Sequence, residues 1–136
     1  MNTYYFDNEN FISTDIYKNF VNNNPEKGSL KIRAYAANEA IPIKGLRIVV
    51  SLVLDNNRVI FFDGYTDESG IIENIVLPAP KLVENNLDKP NKTTYEVTTT
   101  YEPDALIGKY SVNIYEDIYV VQNISIVPKL NREMEG

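Results

Sequence analysis

Apolar and polar positions alternate with a period of two along most of this chain, and the pattern is clearest from Gly45 to Pro80 (GLRIVVSLVLDNNRVIFFDGYTDESGIIENIVLPAP). Leu46, Ile48, Val50, Leu52 and Leu54 alternate there with Arg47, Val49, Ser51 and Val53. Successive side chains of a strand point to opposite faces, so this spacing predicts a strand with one fully buried face. Asp55-Asn56-Asn57 breaks the run with residues that tolerate the positive backbone angles of tight turns. Arg58 to Phe62 resumes as a β-branched and aromatic strand, and the two runs predict a hairpin. Asp63-Gly64 and Asp67-Glu68-Ser69-Gly70 supply turn chemistry around a short Tyr65-Thr66 step. Ile71 to Leu77 is the next strand, stopped by Pro78 and Pro80, which cannot donate to a ladder.

The flanks extend the same sheet pattern. Gly28-Ser29 opens a strand over Leu30 to Tyr35, with Leu30, Ile32 and Ala34 inward. Lys81 to Lys92 is a polar surface loop, and Thr93 to Tyr101, rich in Thr and Tyr, reads as an edge or solvated strand. After a turn over Glu102 to Gly108, Lys109 to Tyr115 places Tyr110, Val112 and Ile114 inward. Ile118 to Val127 supplies one bent strand or two short ones, and Pro128 ends the fold. The predicted fold is therefore all-β, with about seven strands at sandwich spacing over residues 28–128 and a charged tail over 129–136. Residues 1–27 form a different segment, an N-terminal arm. Ser13-Thr14-Asp15 caps a short helix in which Ile16, Tyr17, Phe20 and Val21 share a face, and Asn22-Asn23-Asn24-Pro25 ends it.

Four stretches, GSLKIRAY, AIPIKGLRIVVSL, YTDESGIIENIVLPAP and KYSVNIYEDIYVVQNISIVP, follow one another in an order that resembles the transthyretin-like (prealbumin-like) sandwiches of the carboxypeptidase-regulatory and Cna-B type. The version accompanying Firmicute spore cortex-lytic and peptidoglycan-binding proteins, and some phage structural proteins, is especially similar. The resemblance covers about residues 28–128 and implies a transthyretin-like or Ig-like β-sandwich. Its motifs are turn and core signals, informative about fold and poor on function. The stretch from Lys81 to Gly108 is longer than this pattern expects and has room for an extra hairpin.

Composition then removes whole classes of function. The 136 residues carry a net charge of −6, with no cysteine and no histidine. Without clustered Lys and Arg the chain is expected to bind no nucleic acid. Without histidine it lacks the usual general base and the commonest metal ligand. No stretch reaches the roughly 18 apolar residues of a membrane helix. The start MNTYYFDNENF has neither the basic nor the apolar region of a signal peptide, so no export signal is expected. Abundant Asn, Ile and Lys against scarce Arg fit an AT-rich bacterial or phage genome.

Each candidate constellation has a plainer reading beside it. Some transthyretin-like enzymes hydrolyse a purine-breakdown intermediate with histidines and a C-terminal Tyr-Arg-Gly-Ser; this chain has no histidine and ends Asn131-Arg132-Glu133-Met134-Glu135-Gly136. Cna-B-type domains form a Lys–Asn isopeptide bond beside a buried acid, and the resemblance puts Lys31, Asn123 and Glu96 or Glu102 in roughly that order. The alternation turns Lys31 outward, however, where the reaction cannot be desolvated. Asp63, Asp67, Glu68 and Ser69 lack the spacing of a calcium loop and read as turn chemistry. Asn91-Lys92-Thr93 and Asn123-Ile124-Ser125 match the N-glycosylation pattern, which is common by chance. Tyr95, Tyr101, Tyr115 and Tyr119 are candidates for a sugar or protein contact if they share a face.

The expectation is a non-catalytic structural or interaction module with no cofactor and no metal. It is read as a subunit of a cytosol-assembled bacterial or phage particle (head decoration or tail component), with other protein subunits as partners. The alternative is an accessory or targeting domain acting on bacterial cell wall or spore cortex, with cell-wall glycan as partner; a small hydrolase is a distant third. The interaction residues expected are Tyr4, Tyr5, Phe6, Phe11, Ile16, Tyr17 and Phe20 of the arm. The arm has two readings, a short helix packed over an open end of its own sandwich or an aromatic arm docked on a neighbouring subunit; on the second, deleting residues 1–26 is expected to leave a folded, monomeric sandwich that no longer joins its assembly.

Overall fold

The computed structural model describes residues 4–5, 14–36, 40–83, 90–101 and 105–126, with backbone alone at 4–5 and 105–107. Among them are nine strand segments and one helix: β1 (Tyr4–Tyr5), α1 (Asp15–Asn23), β2 (Glu26–Ala36), β3 (Ile41–Pro42), β4 (Arg47–Leu54), β5 (Asn57–Tyr65), β6 (Ile71–Ala79), β7 (Thr93–Tyr101), β8 (Ala105–Ile114) and β9 (Tyr119–Ile126). Setting aside the two-residue β1 and β3 leaves the seven strands expected from the pattern.

The hairpin at the centre of the sequence is the centre of the first sheet, sheet A, in the order β1-β5-β4-β7-β8. Its turn is two residues long: Asp55 and Asn56 have φ of 49° and 65°, and Leu54 faces Asn57 across it. Positive φ at both positions matches the right-handed twist of the flanking strands, which is why Asp and Asn stand there. One extra residue enters β5 where Val50 faces Phe62 but Ser51 faces Ile60. This bulge at Phe61 lets Phe61 and Phe62 both pack against the core.

The second sheet, sheet B, is built on β2. β6 lies antiparallel along one edge and β9 parallel along the other. β3 pairs with Tyr35 and Ala36, where β9 already holds the other edge, so β3 continues the β6 side. β2 starts at Glu26, earlier than expected, and its buried residues include Leu30, Ile32 and Ala34 as the alternation predicts. Gly28 is needed there, because a Cβ would lie 2.3 Å from the Tyr115 carbonyl oxygen. Leu30, Ile32, Ile75, Leu77 and Ile124 of sheet B meet Ile48, Val50, Leu52, Val97, Val112 and Ile114 of sheet A. The chain is thus an all-β two-sheet sandwich, as its pattern predicts.

Two strands differ from expectation. β7, read as an edge or solvated strand, is central, paired with β4 on one side and β8 on the other. Its inward Tyr95, Val97 and Thr99 are buried, and only its outward threonines carry the polar signal that suggested an edge. The β7–β8 hairpin accounts for the extra length before Gly108, since β8 begins at Ala105. β6 runs through Pro78 to Ala79 instead of stopping at Leu77. It is an edge strand whose outer side needs no donor, so proline is tolerated.

The Thr66–Gly70 turn closes one end of the sandwich. Asp67 accepts from the backbone N–H groups of Ser69 (2.8 Å) and Ile71 (2.9 Å), while the Gly70 carbonyl accepts from Ala34 N–H (2.8 Å). Gly70 has φ of +75° and would place a Cβ 2.3 Å from the Ala34 carbonyl oxygen, so no other residue fits. Buried Thr66 does more than the sequence signalled. Its hydroxyl donates to the Ile43 carbonyl (2.6 Å) and accepts from Leu46 N–H (3.0 Å), joining the turn to the start of β4.

Candidate functional site

At the opposite end sheet A forks. The β4–β7 ladder runs from Arg47↔Thr100 to Ser51↔Glu96 and stops. Each strand keeps its other neighbour beyond that point, β4 with β5 to Leu54↔Asn57 and β7 with β8 to Thr93↔Ile114. Leu52 to Leu54 and Thr93 to Tyr95 therefore diverge, and backbone groups turned toward the gap have no ladder partner there. The fork opens a groove of about 490 Å³ on the outer face of the sheet.

Helix α1 supplies the floor. Thr14 caps it, its hydroxyl accepting from Tyr17 N–H (3.3 Å), and its chain runs Asp15–Asn23 before Asn24 and Pro25 end it, as the sequence predicts. Phe20 enters the core beneath the fork with 7% of its surface exposed. Its ring lies 5.6 Å from Phe61, which meets Tyr95 edge-on at 5.3 Å. Asn24 pins the helix end: its amide donates to the Phe20 carbonyl (2.9 Å), and its carbonyl oxygen accepts from the Thr93 hydroxyl. The Tyr95 hydroxyl donates to the Pro78 carbonyl (2.6 Å), tying the base of the fork to sheet B. Burial, with a smaller contribution from nearby Tyr17, pushes the Tyr95 phenol well above its ordinary range.

The rim is polar. Arg58 reaches from β5 across β4, donating to the Ser51 hydroxyl (2.8 Å) and to Glu96 Oε1 (2.9 Å), which also accepts from the Thr98 hydroxyl (3.2 Å). Lys92, Thr94 and Ser111 complete the rim, while Val53 stands exposed at the mouth. An apolar aromatic floor, a cationic rim and open strand edges suit a segment that brings its own backbone and one or two large apolar side chains. Three of the groove's ionisable groups are engaged in holding the sandwich together, Tyr95 through Pro78 and Glu96 through Arg58 and Thr98.

The expected interaction residues divide at the start of α1. Phe20 packs in the chain's own core, which corrects its assignment to a neighbouring subunit and agrees with the reading of a helix packed over its own sandwich: its ring fills the gap that the fork leaves. Ile16 and Tyr17 are half-buried on the same helix, with Tyr17 6.3 Å from Phe20. Tyr4 and Tyr5 form β1, parallel to β5, and the pairs among the described residues are Tyr4↔Asn57 and Tyr5↔Arg58. Phe6 and Phe11 lie outside the described residues. The groove itself was missed, because a ladder that ends early leaves no mark in the alternation of either strand; Arg58 at the head of an apolar strand was the one available signal.

Other candidates resolve simply. Lys31 faces outward toward Glu73 at 3.4 Å, and Asn123, which accepts from Arg33, shares that face of sheet B. Glu96 is on the other sheet, and Glu102 lies outside the described residues. Tyr95 is buried, whereas exposed Tyr101 and Tyr119 stand on different sheets, so the four tyrosines form no shared platform. Among the described residues no three acidic side chains gather in the manner of a metal site.

The class these observations define is a two-sheet all-β sandwich whose motif order resembles the transthyretin-like type, with one sheet forked around a helix. No family model and no curated protein matches the sequence. Among solved structures the chain is similar to 5-hydroxyisourate hydrolase from Klebsiella pneumoniae, at 13% identity and a TM-score of 0.47, over 74% of this chain and 92% of that one. A likeness that distant bears on neither activity nor site, and the description of the fold rests on the sheet order and registers themselves. No helix among the described residues is long and apolar enough to cross a membrane.

Proposed function

We propose that this chain is a non-catalytic interaction module, a subunit of a cytosol-assembled bacterial or phage particle. The observation that carries the reading is the fork: a sheet held open over an aromatic floor, with strand edges on both sides, takes another polypeptide better than it takes a reacting small molecule. The engagement of Glu96 and Tyr95 supports the non-catalytic part, since a general acid or base has to be free to exchange a proton with its substrate. The narrower relationship to carboxypeptidase-regulatory and Cna-B modules is part of the same proposal and rests on the motif order. The test is fractionation of producing cells with an antibody to the chain. Its presence in sedimented particles, at a fixed ratio to their other subunits, is the expected result. Retention on purified cell-wall sacculi with none in the particles would overturn the reading in favour of a wall-directed accessory domain.

A further inference from the structure

We infer that the fork groove receives the N-terminal segment of a second copy of this chain, residues 2–11 (NTYYFDNENF), as an added strand between β4 and β7. The inference gives the assembly reading its partner and rests on it. Three observations point to this occupant. Beyond Ser51↔Glu96 the backbone groups that face the gap are those of alternate residues in Leu52 to Leu54 and Thr93 to Tyr95, the others turning to β5 and β8, and an extended peptide meets both edges at once. The floor includes the rings of Phe20 and Tyr95, with Phe61 packed against both from beneath, and the segment brings Tyr4, Tyr5, Phe6 and Phe11. The charges are complementary. Arg58 and Lys92 stand on the rim against the single carboxylate Glu96, while the segment carries Asp7 and Glu9 and no Lys or Arg.

The segment's own placement supports the exchange. Within one chain Tyr4 and Tyr5 already run as a strand, so the extended conformation is one these two residues adopt. They sit on the outer edge of β5, on the far side of the β4–β5 hairpin from the fork. A strand inserted in the fork pairs on two edges instead of one and covers the aromatic floor. Phe20 and the rest of α1 stay where they are, so exchange leaves the core unchanged.

The experiment uses the full chain and a fluorescent peptide of residues 2–11, followed by anisotropy, with sedimentation of the chain alone in parallel. Saturable binding is expected, together with concentration-dependent self-association that excess peptide reverses. Ser111→Trp fills the mouth from an exposed position and should weaken both at least about ten-fold, whereas Thr100→Trp, on the same face away from the groove, should leave both unchanged. A peptide with Asp7→Lys and Glu9→Lys should bind the native chain poorly and regain affinity for Lys92→Glu. Thermal melting of each variant shows whether it is folded, and the charge-reversal pair keeps the test decisive if Ser111→Trp is not. Equal binding by all variants, failure of the reversed charges to rescue, or absence of any binding would each overturn the inference. Peptide binding by a chain that is absent from particles would instead overturn the assembly reading and leave the groove assignment standing.

Discussion

The two ends of sheet A solve the same problem in opposite ways. At the Thr66 end β4 and β7 stay paired, from Arg47↔Thr100 inward, and the turn is sealed by its own backbone and one hydroxyl. At the fork end the same strands part, and a helix from a distant part of the chain fills the gap with Phe20 and Asn24. Each end also carries an arginine–carboxylate pair on the outer face. Arg47 grips Asp63 through two hydrogen bonds of 2.9 and 2.6 Å, whereas Arg58 is shared between Ser51 and Glu96 across the fork. Closure by local hydrogen bonds leaves no surface to spare. Closure by a borrowed ring leaves a groove, so the open end is where a partner has something to gain.

The core common to both ends should give the largest effect. Val50 has no exposed surface, and Val50→Asp buries a charge with no partner, at about 4 kcal/mol or more, a large part of an ordinary domain's stability. The variant is expected to be insoluble or without a cooperative melt. A soluble Val50→Asp protein with a native-like transition would mean that β4 does not lie between the sheets as described.

Phe20→Ala tests the open end. Removing a buried phenylalanine costs about 3–5 kcal/mol, nearer the lower figure here because the groove gives the site room to relax. Chemical denaturation should show that loss, and deletion of residues 1–26 should show at least as much. This reverses the sequence-based expectation that the whole arm is dispensable, since the deletion also removes α1. Deletion of residues 1–13 should change stability far less. If the two truncations melt alike, α1 is not the plug of the fork.

Thr66→Val is the matching test at the closed end. It keeps shape but removes one donated and one accepted hydrogen bond at a buried site, leaving the Leu46 N–H and the Ile43 carbonyl short of a partner, for about 1–3 kcal/mol. Groove binding should be untouched. A change in peptide affinity with this variant would show that the two ends are coupled.

These contrasts also mark what was legible in the sequence. Period-two alternation placed β4, β5 and the inward face of β2, because those residues bury one face and the periodicity records burial. Asp55-Asn56 and Gly70 were legible because positive φ restricts which residues can stand there. The centrality of β7 was not, since its outward face is polar and a strand's place in a sheet depends on pairings with residues far away in sequence. Phe20 was visible as an apolar helix position, yet nothing local tells whether such a face covers its own fold or a neighbour's. The groove depends on where one ladder stops, a tertiary quantity with no local code.

The ends should also separate by pH, through Tyr95 near the fork and Asp63 near the closed end. A phenol raised in the folded state stays neutral after the unfolded chain begins to ionise, so stability should fall as pH rises above the ordinary tyrosine value of 10.0. Tyr95→Phe should flatten that alkaline decline, at a cost of about 1 kcal/mol near neutrality for the lost bond to the Pro78 carbonyl. Unchanged alkaline sensitivity would mean that the phenol is not held neutral by burial.

The smallest effect lies on the acid side. The hydrogen bond from Arg47 holds the Asp63 carboxyl below its ordinary value of 3.8, outweighing its slight desolvation, with the guanidinium charge adding to the lowering. A group depressed in the folded state contributes stability that is present above the ordinary value and lost as pH falls through the folded one. The Arg47–Asp63 contribution should therefore be constant at neutral pH and fade below about pH 4. Both side chains are more than a third exposed, so solvent and salt screen the pair and Asp63→Asn should cost less than about 1 kcal/mol. Melting curves of native and Asp63→Asn protein should converge on acidification and, near neutrality, on adding salt. A gap that widens on acidification would show that Asp63 is not held ionised by Arg47, and that the outer face of the closed end owes its order to the ladder alone.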